Sequence, residues 1–126
     1  EPVVPIADNG PNRAFTDATI KLTLERGMNA AIESYKKRNK KIDLLENVIN
    51  AKGYDLIKEK KLKEAIEIFK LNVFAFPKLA NAFDSLGEAY LEAGDKKLAV
   101  ENYRKSLLLN PENENASEIL KRLENR

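Results

Sequence analysis

The chain has 126 residues, 43% hydrophobic and 33% charged, with a net charge of +2 and neither cysteine nor histidine. That length holds one globular domain or a short repeat array and excludes a two-domain enzyme. The missing residues remove disulfides, thiolate ligands and the commonest general base and metal ligand, and the near-balanced charge argues against a nucleic-acid partner.

Glu1 to Arg13 carries Pro2, Pro5, Pro11 and Gly10 with two asparagines, and reads as an extended linker over residues 1–13. It has neither the basic start nor the apolar core of a signal peptide, and no run approaches the ~18 apolar residues of a membrane span. The chain does not begin with methionine, so the sequence reads as a piece of something longer. Apolar periodicity then predicts helices over about 16–26, 29–41, 44–59, 62–76, 80–93, 96–109 and 114–125. Asp43-Leu44-Leu45-Glu46 has the pattern of a capping box opening the third of these. Asn115 or Glu114 stands near the start of the last, whose apolar residues Ala116, Ile119, Leu120 and Leu123 form one stripe.

These elements repeat. Gly53 and Gly87 lie 34 residues apart, as do Ala65 and Ala99, Phe69 and Tyr103, and Pro77 and Pro111. A further step back finds Ala31 and Tyr35. A glycine inside a helix costs roughly 1 kcal/mol against alanine, so Gly87 needs a packing reason. Two helices of a hairpin approach closely only where a side chain is small, which predicts Gly87 crossing Ala99 with Tyr90 and Tyr103 filled in around them. Gly94-Asp95 supplies the turn and Asn110-Pro111 the stop.

Period and pattern resemble the tetratricopeptide repeat, with Phe83 at its Trp position, then Leu86-Gly87, Tyr90, Ala99, Tyr103 and Pro111. The second copy is partial, with Ile49, Lys52 and Leu56 at the Trp, Leu and Tyr positions, and the first keeps only its second helix. The resemblance implies an all-α helical-hairpin solenoid of about three helix pairs and a C-terminal capping helix. Its parts are a degenerate repeat at 14–43, repeats at 44–79 and 80–113, and the cap at 114–126.

Catalysis finds little support. The serines have no histidine to activate them, and the carboxylates alternate with lysines as on solvated helix faces. No catalytic residue, cofactor or metal ligand is expected. The run Lys36-Lys37-Arg38-Asn39-Lys40-Lys41 has the charge of a nucleic-acid patch or nuclear address, but no aromatic residues interleave, and it reads first as the last turns of a helix, where cations complement the macrodipole. Asn115-Ala116-Ser117 fits the glycosylation pattern, but a helix-start asparagine accounts for it.

Carried over residue by residue, the repeat's concave groove falls on Asn47, Asn50, Tyr54 and Lys58, then Asn81, Asp84, Glu88 and Leu91. The asparagines offer both donor and acceptor to an extended backbone, although each position also reads as a plain solvated helix site. Repeats that hold a chaperone's acidic C-terminus use lysine and arginine there. Asp84 and Glu88 stand where such positive charge is wanted. A second surface, Leu71, Phe74 and Phe76, is expected to leave an apolar patch for another domain or chain, or to fold under the neighbouring loop.

The stretch Gly53 to Pro111, with Gly27 to Tyr35 before it, also looks like the C-terminal repeat tail of bacterial serine hydrolases of the beta-lactamase-like and esterase-like kind. That implies an accessory domain packing on or dimerising an upstream hydrolase, in the cytoplasm or the bacterial cell envelope according to what precedes it. The principal expectation is a non-catalytic module binding a protein or peptide in the groove, with no membrane or nucleic-acid role.

Overall fold

The structure is a computed structural model that describes residues 10–125; most of the expected linker, residues 1–9, lies outside that range. Seven helices and no strands occur among the described residues: α1 (Pro11–Arg26), α2 (Met28–Lys36), α3 (Glu46–Lys58), α4 (Leu62–Ala75), α5 (Ala80–Glu92), α6 (Lys96–Leu109) and α7 (Glu114–Glu124). They form three antiparallel hairpins, α1/α2, α3/α4 and α5/α6. The stack is joined by α4 packing on α5 and closed by α7 packing on α6. A continuous core runs from Ile20 and Ala31 through Ile49, Ile68 and Phe69 to Tyr103, Ala116 and Leu120.

The two repeat glycines are explained by what faces them. A methyl group at Gly53 would lie 2.3 Å from the Phe69 ring, and one at Gly87 would lie 3.1 Å from the Tyr103 ring. The small residue therefore accommodates the aromatic ring of the partner helix. Tyr103 thus lies against Gly87 as expected, and Ala65 and Ala99 are fully buried on the same partner helices. Gly94 takes the left-handed turn at φ 85°, and Asp95 caps α6 by accepting from the Leu98 amide at 3.1 Å.

The first hairpin departs from this pattern. Gly27 alone separates α1 from α2 where three residues separate α3 from α4, so α1 does not keep the register of the later repeats, and it holds no glycine to admit the Tyr35 ring as Gly53 and Gly87 admit theirs. Tyr35 instead stands edge-on to Phe74 of α4, at 5.7 Å between ring centroids, with the Arg38 guanidinium 3.8 Å over its other side. α1 contacts both α3 and α4, and α2 makes no packing on α3 comparable to that of α4 on α5.

The buried stripe of α1 is mostly threonine: Thr16, Thr19 and Thr23 with Ile20. The hydroxyls donate back to the carbonyls of Asn12, Phe15 and Thr19 at 2.7, 2.7 and 2.8 Å, leaving the methyl groups to pack. α1 also begins five residues before the expected position, with Pro11 in its first turn, where a missing N–H costs nothing. Residues 11–13 are thus helix and not linker.

Three further local expectations are corrected. α2 ends at Lys36, because Arg38 folds back onto its end, donating to the carbonyls of Tyr35 and Ile42 at 2.9 Å each and pairing with Asp43 at 3.5 Å. Lys37, Lys40 and Lys41 are exposed in the connection that follows, outside any helix. The capping box does not form: α3 starts at Glu46 with Leu45 at its cap. The preceding chain is held by α1, whose Asn12 and Thr16 side chains accept from the amides of Asp43 and Leu45, both at 2.9 Å. The cap of α7 is Asn113, which accepts from the Ala116 amide at 3.2 Å and donates to the Ser106 hydroxyl at 2.9 Å. In α7 the register of the two glycines is held by Lys121.

Candidate functional site

α3 and α5, the first helices of the two regular hairpins, contact each other and carry the eight residues expected to line the groove. Asn47, Lys58 and Asn81 are exposed, whereas Asn50, Tyr54, Asp84, Glu88 and Leu91 are half-buried. Four residues form a chain between the helices. The Ser85 hydroxyl donates to the Asn50 side-chain oxygen at 2.8 Å, and the Tyr54 hydroxyl lies 3.2 Å from Ser85 Oγ and 3.0 Å from Glu88 Oε1. Tyr54 in turn stands edge-on to Phe69 at 5.1 Å, which ties the polar chain to the ring that Gly53 makes room for.

This chain fixes what the groove can still offer. The Asn50 oxygen accepts from Ser85, so its second lone pair and the NH2 group remain for a ligand. Ser85, which sequence reading passed over, is its hub and is buried. Its registers one period away hold Ala51 and Ile119, so no repeated polar position marked it.

The electrostatics of the face are one-sided. Burial pushes the Tyr54 hydroxyl up to about 12; its contact with Ser85 opposes this, while the Glu88 and Asp84 carboxylates add to it. Burial likewise pushes Tyr103 well above the usual tyrosine range, helped by Glu88, Asp84, Tyr54 and Glu92. Burial raises the Asp84 carboxyl, and the side-chain amides of Asn115 and Asn113 pull it the other way. One Asp84 oxygen, Oδ1, is buried without a hydrogen-bond partner. Asp84, Glu88 and Glu92 follow one another at four-residue steps along one side of α5, and none joins an ion pair among the described residues. No group of three acidic residues among the described residues is arranged to hold a metal ion.

The face has two hollows at its ends. One, of about 420 Å3, lies between α1 and α3 and includes Arg13, Asp17, Asn47 and Asp55. The other, of about 410 Å3, lies where Leu91 meets the α5–α6 turn and α7.

The expected apolar patch is corrected. Leu71 is fully buried in the core, Phe74 is half-buried against Tyr35, and Phe76 is half-buried against the core. The cause is the first hairpin: α2 packs on α4 and covers the side that the second repeat alone would leave bare. No helix among the described residues is long and apolar enough to cross a membrane.

Residues 80–113, the third hairpin with the connection after it, match the tetratricopeptide repeat family. Among solved structures the chain is similar to the first TPR of Spaghetti (RPAP3) bound to HSP90 peptide SRMEEVD, at 18% identity and a TM-score of 0.62, with 91% of each chain covered. No curated protein sequence matches. The fold is that of a tetratricopeptide helical-hairpin domain.

Proposed function

We propose that this chain is a non-catalytic interaction module that takes an extended segment of a partner protein across the α3–α5 face, with Asn47, Asn50 and Asn81 meeting its backbone. The observation that carries this reading is the ordered polar chain Asn50–Ser85–Tyr54–Glu88 beside carboxylates that join no ion pair among the described residues. A prepaid network of this kind holds its outward groups in place before a ligand arrives, which lowers the ordering cost of binding.

Charge sets the kind of segment. The similar solved domain is described as bound to a peptide ending in Glu-Glu-Val-Asp. Here an acidic tail laid across α5 would meet Asp84, Glu88 and Glu92, so the preferred segment is neutral or basic where it crosses that helix. The test is selection of binders from a random peptide library displayed on phage, followed by titration of the recovered peptides against wild type, Asn81→Ala and Glu88→Lys. Basic recovered peptides that lose at least about tenfold in affinity to Glu88→Lys support the reading, since one buried charge contact is worth that much. Acidic peptides, or binding indifferent to both substitutions, overturn it.

The alternative, an accessory domain packing on or dimerising a bacterial hydrolase, comes from the resemblance to hydrolase tails and would act through an apolar surface at Leu71, Phe74 and Phe76. With Leu71 in the core and Phe74 against Tyr35, that surface gives it no support.

A further inference from the structure

The hollow at the far end of α5 differs in kind from the acidic face beside it. Its floor is Leu91, Ile119 and Leu123, its end is Gly94, and its only charged lining groups are Lys96 and Arg122. The volume of about 410 Å3 suits one large side chain with its adjoining backbone. Lys96 has no ion-pair partner among the described residues, and it stands in the first turn of α6, where the helix dipole already places positive charge. Arg122 pairs with Glu118, 3.6 Å away, through an exposed pair that contributes little.

The repeat itself shows that this hollow is not a default feature. One period earlier the registers of Ile119, Arg122 and Leu123 hold Ser85, Glu88 and Ala89. There the two small residues are buried and the carboxylate is tied to Tyr54, so the space is filled and its edge is negative. At α7 the small residues become large apolar ones that remain half-buried, and the carboxylate becomes a guanidinium.

We infer that this hollow is an anchor site for a segment that carries one large aliphatic or aromatic side chain next to a carboxylate. The side chain covers Leu91, Ile119 and Leu123, and the carboxylate sits between Lys96 and Arg122. The inference rests on the groove reading for the kind of ligand and adds a polarity to it. From Asp84 to Leu91 the helix advances ~10 Å, the span of about three extended residues. A bound segment thus places its neutral or basic part over α5 and its apolar–acidic part at α7.

The test uses N-acetyl-leucine and its C-terminal amide as probes, titrated into the 15N-labelled chain and followed by amide chemical shifts. The expected result is that the acid shifts Gly94, Lys96, Ile119 and Leu123, that the amide binds about fivefold or more weakly, and that Lys96→Glu abolishes the difference. Glutamate at that position suits a helix first turn, so the variant is expected to fold. Equal binding of acid and amide, shifts spread elsewhere, or no shifts overturn the inference. Lys37→Glu, in the connection after α2, leaves probe binding unchanged. Probe binding without any library peptide sensitive to Asn81→Ala or Glu88→Lys means that the groove reading fails and the anchor stands. Peptide binding without probe binding means the reverse.

Discussion

Replacing Gly53 by alanine sets two effects of opposite sign against each other. Alanine is the better helix former by roughly 1 kcal/mol. Its methyl group, however, would sit 2.3, 2.4 and 2.8 Å from three carbons of the Phe69 ring, against the ~3.5–4.0 Å of a relaxed carbon contact. The ring would have to retreat by more than 1 Å, yet Phe69 is fully buried and its neighbour Tyr54 is held in the polar chain. Overpacking a filled core costs about 1–3 kcal/mol, and a displacement of this size belongs at or above the upper end, so the net expected loss is about 2 kcal/mol. At Gly87 the same substitution meets Tyr103 at 3.1–3.2 Å, and the ring needs to give only a few tenths of an ångström. There steric cost and helix propensity nearly cancel. Urea unfolding followed by circular dichroism, with unchanged slopes, should therefore show Gly53→Ala losing much of its midpoint while Gly87→Ala stays near wild type. In a Phe69→Leu background the Gly53→Ala loss should shrink. A Gly53→Ala protein as stable as wild type would refute the argument that the glycine exists to admit the ring.

Other substitutions separate structural from functional roles. Thr16→Val is expected to cost about 1–2 kcal/mol because it orphans the Leu45 amide, whereas Thr23→Val, which removes only a back-bond to a carbonyl within its own helix, should be close to neutral; comparable losses in urea melts would contradict the distinction. Asp84→Asn should stabilise the domain at neutral pH by at most about 1 kcal/mol. The Asp84 carboxyl is raised above its ordinary value by burial, so its cost appears as pH rises through that raised value, and the gain from asparagine should fade under acid conditions. A variant less stable than wild type at pH 7 would show that the Asn113 and Asn115 amides outweigh the burial. For Tyr54, raised from 10 to about 12, the stabilising share is complete below pH 10 and is lost as pH climbs towards 12. Wild type should consequently lose more stability than Tyr54→Phe over that interval, and parallel losses would count against the buried hydroxyl.

Much of the architecture was legible because it follows from local chemistry and period. The 34-residue recurrence of glycine, alanine, aromatic and proline fixes two regular hairpins, since each residue type answers a local demand: closeness, burial, filling, termination. The first hairpin was less legible, because its buried stripe is threonine, whose hydroxyl counts as polar in a pattern but is satisfied inside its own helix. The helix starts misled because Asp43 and Glu46 have the spacing of a cap, while the partners that win are Asn12 and Thr16, about thirty residues away.

Which apolar residues stay bare could be decided only in three dimensions. Leu71 and Phe74 look surplus to the second hairpin taken alone, and it is the docking of α2 that covers them. Tyr35, for which α1 holds no glycine, stands edge-on to Phe74 of α4, a contact between hairpins that the period does not encode. Sequence period determined how each hairpin closes, because that depends on residues in fixed register along two adjoining helices. The tertiary structure determined the role of Ser85, the unpaired oxygen of Asp84 and the cationic hollow at α7, because burial and charge compensation are properties of the whole assembly of helices.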